Sequence, residues 1–123
     1  MNLNHGALEN LVMNILWNYS DEFEGKMSVN QVWQKLNELH TKRKWAYTTV
    51  KTILDRLYDK RLINKTKSGK KYNYTTIMPR LEMAEKALKK VALEYFKNDF
   101  AEMTKFVREI AYQEEKNLVN IYK

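Results

Sequence analysis

The chain has 123 residues, a formal net charge of +7 and no cysteine. Zero cysteines exclude disulfides and thiolate metal sites, and a pI near 9.5 favours a polyanionic partner over acidic small molecules. Fifteen aromatics and a hydrophobic fraction of 44% argue against disorder, at a length that suits one domain with an appendage or two very small ones.

The opening Met-Asn-Leu-Asn-His lacks an apolar signal core, and no run approaches the ~18 apolar residues of a membrane span. The expectation is a cytoplasmic protein with no membrane partner. Leu8, Leu11, Val12, Ile15 and Leu16 recur at i, i+3, i+4, i+7, i+8, which predicts a first helix from about Gly6 to Tyr19. Asn4 is a candidate cap, and Met13 and Trp17 are expected to complete the core face. Ser20 to Lys26 reads as a polar loop, after which Met27 can form a brief strand against a later hairpin.

Ser28-x-x-Gln31 has capping-box spacing, and Val29, Val32, Trp33, Leu36 and Leu39 form the predicted buried stripe of a second helix. His40 to Lys44 connects it to a third, and the consecutive cations Lys42, Arg43 and Lys44 suit phosphate. The third helix spans about 46–60, with Ala46, Tyr47 or Thr48 as its cap and Trp45 packed into the domain. Its apolar face is Val50, Ile53, Leu54, Leu57 and Tyr58. Thr48, Thr52 and Asp55 fall opposite, flanked by Thr49 and Lys51. Short hydroxyl side chains allow close approach to a base edge or phosphate, and lysine supplies charge. Tyr47 leaves two readings, a wedge under the second helix or a contact to the sugar-phosphate chain. Arg56, toward the side of the helix, suits an ion pair.

Two β-prone runs around Ser68-Gly69 predict a hairpin over 63–76, carrying Lys65, Lys67, Lys70 and Lys71. Residues 42–71 hold eleven Lys or Arg against two acids, Asp55 and Asp59. A helix followed by a basic hairpin is the order of a winged helix-turn-helix, in which the hairpin lies on the phosphate backbone beside the inserted helix.

Pro79 marks a hinge. Beyond it the net charge is close to neutral, and apolar periodicity predicts a long helix over about Arg80 to Lys97, a break at Asn98-Asp99, and another helix from Phe100. Leu88, Val91, Tyr95, Phe96, Phe100, Met103, Phe106, Val107, Ile110, Leu118, Ile121 and Tyr122 form the expected dimer interface. A segment this short cannot bury that much apolar surface alone. A second copy is the economical partner, because two-fold operators suit homodimers.

The order of these motifs resembles the penicillinase-repressor (BlaI/MecI/CopY) family. The resemblance rests on Leu8 to Trp17, Ser28 to Leu36, Trp45 to Lys60 and Gly69 to Tyr74, and covers about residues 5 to 78. It implies DNA contacts at the matching positions of the third helix and hairpin, and C-terminal helices that intertwine in a dimer. Arg61 departs from the pattern, since the family usually has Gly there. One branch of the family senses copper through cysteines, a mode the absence of Cys rules out. Another is inactivated by cleavage of an Asn-Phe bond, making a regulatory protease a candidate partner. The corresponding bond here is Lys105-Phe106, which does not match.

No nucleotide-binding Gly loop, Cys nucleophile or zinc-spaced cluster is present, and His5 and His40 have no catalytic partners in sequence. The expectation is a non-enzyme with no cofactor and no metal. Its predicted architecture is mostly α with a small β-hairpin wing: a winged-helix DNA-binding domain over 1–78 and a helical dimerisation domain over 79–123. The expected function is a transcriptional repressor that binds a palindromic operator in double-stranded DNA as a homodimer, relieved by proteolysis or another signal. The competing readings are a basic helical RNA-binding module and a protein-interaction module. The aromatics fall on core stripes, which counts against an RNA reader that stacks bases.

Overall fold

The computed structural model describes residues 5–121, the side chains of His5 and of residues 119–121 excepted. Two compact units divide the chain, Met1–Arg80 and Leu81–Lys123.

In the first unit the apolar stripes of three helices close on one another. Helix α1 (His5–Tyr19) packs on α2 (Val29–Leu39) and α3 (Tyr47–Asp59). Val12, Met13 and Leu16 of α1, Val32 and Leu36 of α2, and Val50, Ile53, Leu54 and Leu57 of α3 are buried together. Burying an aliphatic side chain contributes about 1.5–3 kcal/mol, so these stripes drive the assembly. The stripes end sooner than their periodicity predicts. Leu39 is 46% exposed and Tyr58 44% exposed, each in the last turn of its helix. Arg56 is half-buried.

The sheet completes the unit. Strand β2 (Ile63–Ser68) pairs antiparallel with β3 (Lys71–Thr76), and β1 (Met27–Ser28) adds to the other edge of β3, giving the order β1-β3-β2. Met27 faces Tyr74 across that pair, and both are buried, as is Ile63 at the start of β2. The brief strand expected at Met27 is therefore present. The hairpin turn is Gly69-Lys70, flanked by the Ser68–Lys71 pair. Positive φ falls on Gly69 and not on Lys70, the type II′ pattern that matches strand twist. Three helices with a hairpin projecting from a small antiparallel sheet constitute a winged helix.

Local signals explain the boundaries. Ser28 Oγ accepts from Gln31 N at 3.2 Å while Gln31 Oε1 accepts from Ser28 N at 2.9 Å, a complete capping box for α2. Helix α3 starts at an Ala46 cap that makes no side-chain hydrogen bond. Within the segment expected as a polar loop after α1, Ser20–Phe23 winds a 3-10 turn. Left-handed Glu24 and Gly25 close it, with Gly25 N donating to Ser20 O at 2.9 Å. Asn4, the candidate cap of α1, lies outside the described residues.

The second unit comprises α4 (Arg80–Phe96) and α5 (Phe100–Ile121). Helix α4 ends through Lys97 and Asn98, both at positive φ, and Asn98 N donates to Ala92 O at 2.9 Å. Asp99 Oδ1 then accepts from Glu102 N at 3.0 Å and caps α5. The Phe96 and Phe106 rings meet at 5.7 Å, and Ala92 and Met103 are buried. Most other apolar residues of the pair face outward, including Leu88, Val91, Tyr95, Phe100, Phe106, Val107, Ile110 and Leu118.

Candidate nucleic-acid interface

The start of α3 is held by a polar clamp beneath Trp45. Asn37 Oδ1 accepts from Trp45 N at 2.8 Å, and Trp45 O accepts from Asn37 Nδ2 at 3.0 Å and from Trp33 Nε1 at 2.8 Å. Both backbone groups of Trp45 are thus tied to α2, two residues before α3 begins. That fixes the entry of the chain into α3 and the helix's orientation on α2. Trp45 is buried, with His40 edge-on to its ring and the Arg43 guanidinium 5.5 Å from the ring centroid.

On the outward face of α3, Thr48 and Thr52 are exposed, and Thr52 Oγ1 donates to Thr48 O at 2.9 Å. Thr49 is half-buried and Lys51 exposed. Tyr47 packs on the second helix, its ring meeting Trp33 edge-on at 5.9 Å, and the residue remains 42% exposed.

The helix and the wing enclose a cleft of about 270 Å³, walled by Asn30 at the start of α2, Tyr47 and Lys51 of α3, and Lys70, Lys71 and Tyr72 of the wing. Its floor includes Tyr74, whose hydroxyl pKa is pushed up to about 12, chiefly by burial and next by the Asp55 carboxylate. Three lysines around one concavity that opens beside a helix N-terminus favour an anionic group such as phosphate. Lys67 stands near Tyr72, its Nζ 5.9 Å from the ring.

Lys65 differs from the other wing cations. Its Nζ is 4.4 Å from the Tyr72 ring centroid, 5.4 Å from that of Tyr58 and 3.8 Å from Asp55 Oδ1, so it is engaged within the protein. The cations of the connection form a separate group. Lys42 and Arg43 line a groove with Leu11, Leu39 and Trp45, and Lys44 Nζ donates to Asn37 O at 3.2 Å. None of the three borders the cleft.

Residues 5–123 match the family model described as penicillinase repressor. The chain belongs to the penicillinase repressor family. Among relatives, an uncharacterized 16.5 kDa protein from the ptsI 3′ region of Latilactobacillus sakei is 32% identical over 76 residues, which cover 62% of this chain and 47% of that protein. The methicillin resistance regulatory protein MecI of Mammaliicoccus sciuri is 27% identical over 89 residues, or 72% of this chain and 66% of that one. The chain thus spans about half the length of the first relative and just under two thirds of the second. A solution structure of the DNA binding domain of the repressor BlaI aligns with a TM-score of 0.47 and 29% identity, covering 58% of this chain and 78% of that domain.

Two features of this family member were outside the reach of sequence reasoning. Asn37 carries no pattern that announces the Trp45 clamp. Glu9 is 7% exposed and takes Lys60 Nζ on both oxygens, at 2.9 and 2.7 Å, joining α1 to the end of α3. A lone acid among the polar residues of α1 could have signalled that contact only through its neighbours on the Leu8 face. Of the residues expected at the dimer interface, Met103 is 9% exposed and already buried within the chain, and Phe96 is half-buried against Phe106. Both pack where α4 turns back into α5, so neither is freely presented to a partner. Tyr122 and the Ile121 side chain lie outside the described residues. Among the described residues, no group of three or more His, Cys, Asp or Glu could hold a metal ion, and no helix is long and apolar enough to cross a membrane.

Proposed function

We propose that this chain is a cytoplasmic, non-enzymatic transcriptional repressor that binds a palindromic operator as a homodimer. Residues 1–78 read DNA, with α3 in the major groove and the β2–β3 wing along the phosphate backbone, and residues 79–123 join two copies. The observation that carries this reading is the cleft shared by Lys51 of α3 and Lys70 and Lys71 of the wing, beside a hydroxyl-rich helix face. A major groove about 12 Å wide admits one α-helix, which leaves phosphates within reach of a flanking hairpin. Thr48, Thr49, Lys51 and Thr52 are the base-edge and helix-start contacts in this scheme. Tyr47, Lys67, Lys70 and Lys71 take phosphate or sugar, with Lys42, Arg43 and Lys44 meeting a more distant stretch of backbone.

The outward apolar residues of α4 and α5 support dimerisation, since Leu88, Val91, Phe106, Val107, Ile110 and Leu118 are 38% to 54% exposed in the single chain. Relief by cleavage at Lys105-Phe106 would first require α5 to open, because that bond lies inside the helix. A signal other than direct cutting at this bond therefore fits the geometry better.

A gel shift comparing duplex DNA with RNA of the same length, at two salt concentrations, tests the reading. Duplex binding that weakens steeply with salt is the expected result, and equal or tighter binding to RNA would overturn it.

A further inference from the structure

Asp55 is an acid on a face otherwise suited to a polyanion. It is one of two acids in residues 42–71 and shares the outward side of α3 with Thr48 and Thr52. Its carboxylate bridges the helix and the wing: Oδ2 lies 3.4 Å from Lys51 Nζ and Oδ1 lies 3.8 Å from Lys65 Nζ. Oδ1 is buried and, among the described residues, accepts no hydrogen bond. Lys65 is the more enclosed of the two cations, its side chain 25% exposed between the Tyr58 and Tyr72 rings. Lys51, 54% exposed, remains free to turn outward.

A carboxylate here can only weaken attraction to phosphate in general, so its contribution must be sought in discrimination. We propose that Asp55 is a specificity-determining residue that lowers binding to DNA at large by holding Lys51 and Lys65 to itself. Lys65 then serves as a strut between wing and helix and does not act as a phosphate ligand. Lys51 leaves Asp55 only when a base edge offers it a better partner, which an arbitrary sequence does not supply. The inference rests on the proposed reading that this face binds duplex DNA.

Salt titrations on a random-sequence duplex separate the two claims. Each cation that gains a phosphate steepens the dependence of log affinity on log salt by about 0.9. For the full chain, Asp55→Asn is expected to steepen that slope by about one unit and to tighten random-duplex binding about tenfold at ~0.1 M salt. Asp55→Ser, which removes the charge with a smaller side chain, must behave alike, and Asp55→Glu must retain the wild-type slope. Lys65→Met, which keeps the stem between the rings, is expected to leave the slope unchanged. Lys70→Ala is expected to flatten it by about one unit, which tests the underlying DNA reading independently. An unchanged or flatter slope in both charge-removing Asp55 variants, with Lys70→Ala behaving as expected, would overturn the inference alone. Absence of salt-dependent duplex binding by the wild-type chain would overturn both.

Discussion

Arg61, at φ 61°, occupies the left-handed region that favours glycine, and the hydrogen bonds around it explain why. Arg61 N donates to Tyr58 O at 2.9 Å and Leu62 N donates to Leu57 O at 3.0 Å, the paired bonds of a Schellman motif. The fold keeps the turn and tolerates the side chain. A non-Gly residue in that conformation costs about 1–2 kcal/mol, partly offset by the smaller unfolded-state entropy of arginine relative to glycine. Arg61→Gly should therefore stabilise the domain by about 1 kcal/mol net. Urea denaturation checks this as a higher midpoint with an unchanged slope, and a lower midpoint would contradict it. On the outward face of α3, Lys51→Ala or Thr52→Ala should cost about 1–3 kcal/mol of specific DNA binding with little loss of stability. Competition titrations against a preferred sequence measure that loss, and unchanged affinity in both variants would remove them from base readout. Tyr74 adds a pH dependence. Its pKa, raised to about 12, exceeds the unfolded value of about 10, so the unfolded chain releases its proton first as pH rises. The stability contributed by the neutral hydroxyl is complete below pH about 10 and is lost progressively toward pH about 12. Thermal melts of wild type and Tyr74→Phe between these limits should show the smaller alkaline loss in the variant.

Among the elements, the winged helix was legible where local chemistry sets the structure. The period of Val50, Ile53, Leu54 and Leu57 gave α3, the Ser28 and Gln31 pair gave the start of α2, and Gly69 marked the hairpin turn. What sequence could not supply depends on partners far along the chain. The Asn37 clamp on Trp45 and the Glu9–Lys60 pair arise only once helices have packed. The exposure of Leu39 and Tyr58 at their helix ends is likewise set by tertiary packing, which periodicity does not encode. The basic character of residues 42–71 was visible, yet its division into a cleft group, a lysine engaged by Asp55 and a connection group required the fold. The clamp also yields an element-scale prediction. Asn37→Ala leaves Trp45 N without its side-chain acceptor and should cost about 1–3 kcal/mol of stability. Because the clamp orients α3, DNA affinity should fall in parallel, and chemical denaturation with DNA titration on the same variant measures both. Full stability in Asn37→Ala would show that the clamp is dispensable.

At the scale of the whole molecule, the two units have different surfaces. The first closes its own core from Leu8 to Tyr74 and carries most of the positive charge, while α4 and α5 present apolar residues outward. If those residues join two copies, binding of the second half-site becomes intramolecular, which can raise affinity roughly 10²–10⁴-fold without a new DNA contact. Replacing Leu88, Val91 and Phe106 together by Asp should then yield a folded monomer that binds a symmetric site weakly, since charge in an apolar interface is costly. Sedimentation reports the first effect and titration the second. Selection of bound sequences from a random duplex pool with the full chain decides whether a two-fold dimer recognises duplex DNA by sequence. The expected result is enrichment of an inverted repeat whose half-sites lie about 10 base pairs apart or a multiple of that, one α3 to each. Enrichment of a single asymmetric half-site, or none, would contradict it.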